Sequence, residues 1–175
     1  RTYWKKRWKL RLPRIGMGVL ASSAIAGIMV LIGPDIVLRW QADDQTGRQE
    51  TRTLELADGS QTILAPESAV ALDFLDGHRH VRLLKGEALF TVHHETEHPF
   101  SVLAGHLTIT DVGTVFDVRL ESRHETTVGV REGRVSVQEN SLRSPPVILD
   151  AGEQAQLRDH HLYTCRLYPA DAADA

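Results

Sequence analysis

Between Arg14 and Asp35 the chain carries no charge, and Ile15 to Ile32 (IGMGVLASSAIAGIMVLI) is an 18-residue, mostly apolar run. With its flanking Pro13 and Gly33 it makes about 30 Å of helix at 1.5 Å per residue, the thickness of one hydrocarbon core. Residues 15–34 are therefore expected to form a single transmembrane α-helix. Seven cations (Arg1, Lys5, Lys6, Arg7, Lys9, Arg11 and Arg14) and no acid occupy residues 1–14. The positive-inside bias places that flank in the cytoplasm and the remainder of the chain across the membrane. Trp4, Trp8 and Trp40 bracket the run as interfacial aromatics, and Gly33-Pro34 supplies a helix stop. A cleaved signal peptide shares this outline, but with a shorter apolar region and a less extended basic one.

The whole-chain net charge of −3 over 175 residues hides this arrangement. Residues 1–14 sum to +7, whereas residues 39–175 hold 13 basic and 22 acidic side chains, a balance of −9. An acidic main body argues against nucleic-acid binding, and anionic headgroups beside the span account for the basic run. Val, Ile, Leu and Phe recur throughout, enough to build a core and exclude disorder for the bulk. The single cysteine, Cys165, excludes an intrachain disulfide framework and reads as a buried or half-buried strand thiol.

Beyond a polar juxtamembrane linker at 35–49, short β-branched and alternating segments separated by glycine turns predict an all-β domain over 50–167. Strands are expected near 50–57, 60–65, 69–75, 79–84, 88–93, 100–104, 107–112, 115–120, 126–131, 134–138, 147–150, 153–157 and 162–167. Asp58-Gly59 and Asp76-Gly77 suit tight hairpins, and Lys85-Gly86, Glu132-Gly133 and Ala151-Gly152 look similar. The expected architecture is stacked hairpins, β-solenoid-like or a sandwich, followed by a flexible tail at 168–175.

Six motifs then occur in order: Arg52 to Ser60 (RTLELADGS), Glu67-Ser68-Ala69-Val70, Arg79 to Val92 (RHVRLLKGEALFTV), His98 to Val102 (HPFSV), Gly113 to Val118 (GTVFDV) and Val130 to Val135 (VREGRV). Together, from about Ala42 to Val137 and behind an apolar span, they resemble the periplasmic region of FecR-type sigma-factor regulators. A slight departure is Pro66, where that family more often has a polar residue. The resemblance implies a single-pass protein of the bacterial inner membrane, N-terminus cytoplasmic and C-terminal domain periplasmic. It implies a sigma factor bound through a cytoplasmic domain that these residues do not include. It also implies contact with the signalling domain of a TonB-dependent outer-membrane receptor, and proteases of regulated proteolysis as further partners. The alternative is a membrane-anchored periplasmic scaffold or cell-wall-associated binding module.

No arrangement of side chains points to an enzyme acting on a separate substrate, and none calls for a cofactor. The candidate for chemistry is Gly113-Thr114. Some members of the resembled family cleave this bond themselves, by attack of the threonine hydroxyl on the preceding carbonyl. A hydroxyl beside the bond and a glycine that tolerates strain are the requirements met here; a bulge with an ordinary strand threonine is the plainer expectation. His93-His94-Glu95-Thr96-Glu97-His98 lacks the spacing of a metalloprotease helix and is followed by Pro99, so it is expected to be a polar hairpin loop without a metal.

Overall fold

The computed structural model describes residues 40–95, 97–111, 113–140 and 145–166. The basic flank, the expected span at 15–34 and the tail at 168–175 lie outside the described residues. Contacts divide the chain into Arg1–Val37 and Leu38–Ala175, and the fold below belongs to the second unit. Among the described residues no helix is long and apolar enough to cross a membrane.

The domain is all-β. Its strands are β1 (Asp44–Gln45), β2 (Arg52–Glu55), β3 (Gln61–Leu64), β4 (Ala69–Asp73), β5 (His80–Thr91), β6 (Phe100–Ala104), β7 (Leu107–Asp111), β8 (Val115–Ser122), β9 (Glu125–Glu132), β10 (Arg134–Glu139), β11 (Val147–Asp150), β12 (Glu153–Arg158) and β13 (His161–Arg166). Strand β1 falls inside the segment expected as linker: it pairs with β4, and the buried Thr46 donates its hydroxyl to the Ala65 carbonyl at 2.6 Å.

The finer expectation of stacked hairpins, a β-solenoid-like arrangement or a sandwich gives way to one curled mixed sheet with two halves. The first half runs β1-β4-β5-β6-β7-β10-β11. The second runs β2-β3-β5-β8-β9-β12-β13. β5 belongs to both: His80 to Lys85 pair with β4 and β6, whereas Gly86 to Thr91 pair with β3 and β8. The segments expected as two strands at 79–84 and 88–93 are thus one strand bent at Gly86. Bending preserves the hydrogen-bond ladder that a turn would interrupt.

The repeated glycines at 133 and 152 are corners of the same kind rather than hairpin turns. β9 and β10 do not pair with each other, nor do β11 and β12; at each glycine the chain passes from one half to the other. Gly86, Gly133 and Gly152 all sit near φ +82°, a conformation that side-chain-bearing residues resist.

The two halves face one another across a single apolar core. Phe90 stacks on its cross-strand partner Phe116 at 5.2 Å within the second half, and Phe100 from the first half closes on Phe90 at 6.0 Å. All three rings are fully buried, each contributing about 1.5–3 kcal/mol by its removal from water. Alternation sets which side chains face this core: Val135 and Val137 are buried, with Ser136 between them facing outward. Cys165, expected to be at least half buried, is exposed, because β13 is an edge strand that has no neighbour beyond β12 among the described residues.

Candidate functional site

The site is built where the chain must return from the end of β5 to the start of β6. These strands are parallel, so the described residues between them, 92–95 and 97–99, belong to a crossover and not to the hairpin loop expected of the histidine-rich run. A parallel connection carries polar backbone over the end of the sheet, and that backbone needs partners.

Arg79 supplies them. Only 4% exposed, it donates from Nη1 to the His98 carbonyl at 2.8 Å and from Nη2 to the His93 carbonyl at 2.9 Å, tying both ends of the crossover to one guanidinium. Its charge is balanced by Asp58, whose Oδ2 accepts from Nε at 2.7 Å and lies 2.6 Å from Nη2. Asp58 also accepts from the Ser60 amide at 3.0 Å and the Ser60 hydroxyl at 2.7 Å. Burial pushes the Asp58 carboxyl up, but the Ser60 and Arg79 hydrogen bonds outweigh it and hold the group below its ordinary value. Phe100 packs under the guanidinium, 5.6 Å from ring centre to Cζ. A depression of about 310 Å³ lies above, lined by Asp58, Phe74, His78, Arg79, Glu95 and His98 among others. With its donors spent on the fold, Arg79 acts as a structural clamp.

The clamped crossover lies over the turn between β7 and β8, which carries Gly113 and Thr114. Asp111, fully buried, accepts from the Gly113 amide through Oδ1 and from the Thr114 amide through Oδ2, each at 3.1 Å. The Thr114 carbonyl in turn accepts from the Val92 amide at 2.9 Å. Gly113 has φ +143°, and a methyl group placed on it would lie 2.7 Å from both Cβ and Nδ1 of His94. The imidazole of His94 therefore rests directly on this glycine. On the other side the Thr114 methyl packs against Gly133 so closely that no side chain fits there.

Thr114 is 7% exposed, and its hydroxyl has no hydrogen-bond partner among the described residues, as is also true of Thr62 and Thr126. Of these three, Thr114 alone follows a glycine. An unpaired buried hydroxyl costs roughly 1–3 kcal/mol. Here it sits beside a carbonyl whose peptide nitrogen is gripped by a carboxylate.

The sequence-predicted pair Gly113 and Thr114 thus occupies a built turn. Of the histidines expected in the loop, His98 is paired with Glu95 at 2.8 Å and His94 covers Gly113, so the two are spent on different contacts. Arg79, Asp58 and Asp111 were not singled out beforehand. The signal for Asp58 and Arg79 lies in two of the six ordered motifs, RTLELADGS and RHVRLLKGEALFTV, which contain one each; nothing local marks Asp111 as buried.

A family model described as FecR protein matches residues 43–136. Two crystal structures described as a candidate anti-sigma factor from Parabacteroides distasonis ATCC 8503, at 1.65 and 2.50 Å resolution, each superpose with a TM-score of 0.63 at 22% identity. Each alignment covers 70% of this chain and 58% of that one, so the chain spans a little over half the length of its structural relative. At this identity the likeness establishes the fold. None of the curated proteins compared with the chain matches it.

Proposed function

Because this chain belongs to the FecR family, we propose that it is a single-pass inner-membrane regulator that passes a periplasmic signal to a cytoplasmic sigma factor, as an anti-sigma factor or sigma regulator. The observation that carries this reading is the family match over the β-domain, combined with a seven-cation flank and an uncharged 18-residue run ahead of it. In this reading the signalling domain of a TonB-dependent receptor contacts the periplasmic domain, and regulated proteolysis then releases a cytoplasmic piece. The test is capture of candidate transducer signalling domains by the whole chain in mild detergent. One signalling domain is expected to be retained while the others wash through; retention of none by folded protein overturns the reading.

Within this function we assign Gly113-Thr114 as a self-processing bond. The Thr114 Oγ attacks the Gly113 carbonyl carbon, the C–N bond breaks, and the hydroxyl proton is carried to the departing nitrogen, leaving an ester and a free amine. Water then hydrolyses the ester to a Gly113 carboxylate and restores the threonine hydroxyl. The unpartnered hydroxyl, the left-handed glycine and the carboxylate of Asp111 on the scissile N–H support this assignment. The cut falls between β7 and β8, each held by two neighbouring strands, so the fragments stay together until denatured. On a denaturing gel, wild type is expected as two bands, Thr114→Ala as one and Thr114→Ser as two. A wild type that runs as a single uncut band sinks the assignment.

A further inference from the structure

Three hairpins from different parts of the sheet bring a histidine each to the same place. His106 lies in the β6–β7 turn, His124 in the β8–β9 turn and His160 in the β12–β13 turn. Their ring centres are 5.1 Å (His106–His124), 5.1 Å (His124–His160) and 5.7 Å (His106–His160) apart. We propose that these three imidazoles form a binding site for a divalent transition-metal ion of the zinc class, independent of the sigma-regulator reading.

The spacing carries the argument. An imidazole nitrogen binds zinc at about 2.0–2.1 Å, which puts the ring centre about 3.2 Å from the metal and tetrahedrally arranged rings about 5.2 Å from each other. Two sides of the observed triangle, 5.1 Å each, match this spacing, and the third, 5.7 Å, is longer. As the side chains stand, no three ligating atoms among the described residues are arranged to hold a metal, so the rings close on the ion by turning about their side-chain torsions. His124 and His160 are exposed and His106 is half buried, and such side chains reorient in picoseconds to nanoseconds.

The backbone beneath them is firmly placed. A methyl group on Gly105 would meet the Arg123 carbonyl at 2.8 Å, so the tips carrying His106 and His124 are in direct contact. The His106 carbonyl accepts from the Asn140 amide at 2.8 Å, fixing that tip to the end of β10. His160 and the preceding Asp159 occupy left-handed backbone at φ +63° and +48°, where a two-residue hairpin ordinarily has glycine or asparagine. The turn they form sets the His160 ring beside the other two. Behind it, Glu139 is 3% exposed and its Oε1 lies 3.6 Å from His160 Nδ1. A carboxylate behind one ring nitrogen orients a histidine whose other nitrogen binds metal. A metal here would staple the two halves of the sheet, since β6–β7 belongs to the first and the other two hairpins to the second.

The test titrates zinc chloride into the whole chain in mild detergent after chelator treatment, with equilibrium dialysis and thermal melting as readouts. One zinc per chain is expected, raising Tm by about 5–10 °C at a hundredfold excess over Kd. His106→Gln and His124→Gln, each at a side chain outside the core, are expected to melt as wild type does without metal and to lose both the bound zinc and the shift. The double variant His78→Gln/His80→Gln keeps them. Absence of a zinc-dependent shift in wild type, or its survival in both single variants, overturns the proposal.

Discussion

Replacing Arg79 by methionine is expected to destabilise the domain by about 3–5 kcal/mol, a fall in Tm of roughly 10 °C for a chain of this size. The substitution keeps much of the apolar stem but leaves Asp58 buried without its cation, and leaves the His93 and His98 carbonyls without their donor. The loss is also expected to depend on pH. The folded-state pKa of Asp58 is lowered, so its stabilisation is present above the ordinary aspartate value of about 3.9 and is lost as pH falls through the folded value. Removing Arg79 takes away one of the interactions that lower it. The gap between wild type and Arg79→Met should therefore be widest near neutrality and narrow below about pH 4. Adding Asp58→Leu restores only part of the loss, because the crossover carbonyls stay unpaired. Chemical denaturation at pH 7 and pH 3 measures both effects, and a gap of constant size would show that the clamp does not work through this ion pair.

Gly86→Ala is expected to cost a further order of the same size, about 3–5 kcal/mol, and Gly152→Ala only about 1–2 kcal/mol. Both glycines sit at nearly the same φ, +82° and +83°, so the conformational penalty of an L side chain is shared. They differ in space. A methyl group on Gly152 meets nothing within 4 Å, whereas one on Gly86 runs into the Ser68 hydroxyl and comes within 2.7 Å of the Ser68 Cα. Ser68 cannot move aside: its hydroxyl accepts from the Glu87 amide and donates to the Glu87 carbonyl, each at 2.9 Å, across the bend of β5. Urea melts of the two variants give the comparison, and equal losses at both positions would mean that the bend is not sterically locked.

The strand pattern was largely legible because alternation and glycine punctuation are local properties. Val135-Ser136-Val137 buries its valines as the two-residue period requires. The misreading at Lys85-Gly86 has a physical cause. A left-handed glycine is the same local event whether the chain reverses into a hairpin or bends onward into a second half-sheet, and only the partner strands distinguish the two. Asp44–Gln45 escaped notice because two polar residues carry no periodic signal; their pairing comes from β4.

The Gly113-Thr114 pair was visible as a dipeptide, but its neighbours were not. Asp111, two residues earlier, reads as an ordinary strand end until its carboxylate is seen accepting two amides from inside the fold. His94 and Gly113 are 19 positions apart and meet only because a parallel pair forces the crossover over the β7–β8 turn.

The apolar run with its charge asymmetry, the all-β character, the positive φ at Gly59, Gly77, Gly86, Gly133 and Gly152, and the family were all legible in the sequence, since each rests on composition or on short ordered motifs. Tertiary structure alone decided that β5 is shared between two half-sheets, that Arg79 cinches the crossover, and that His106, His124 and His160 converge. These depend on strand pairing between segments distant in the chain. Periodicity says which face of a strand is buried, but it is the ladder of hydrogen bonds between strands that says whose neighbour it becomes.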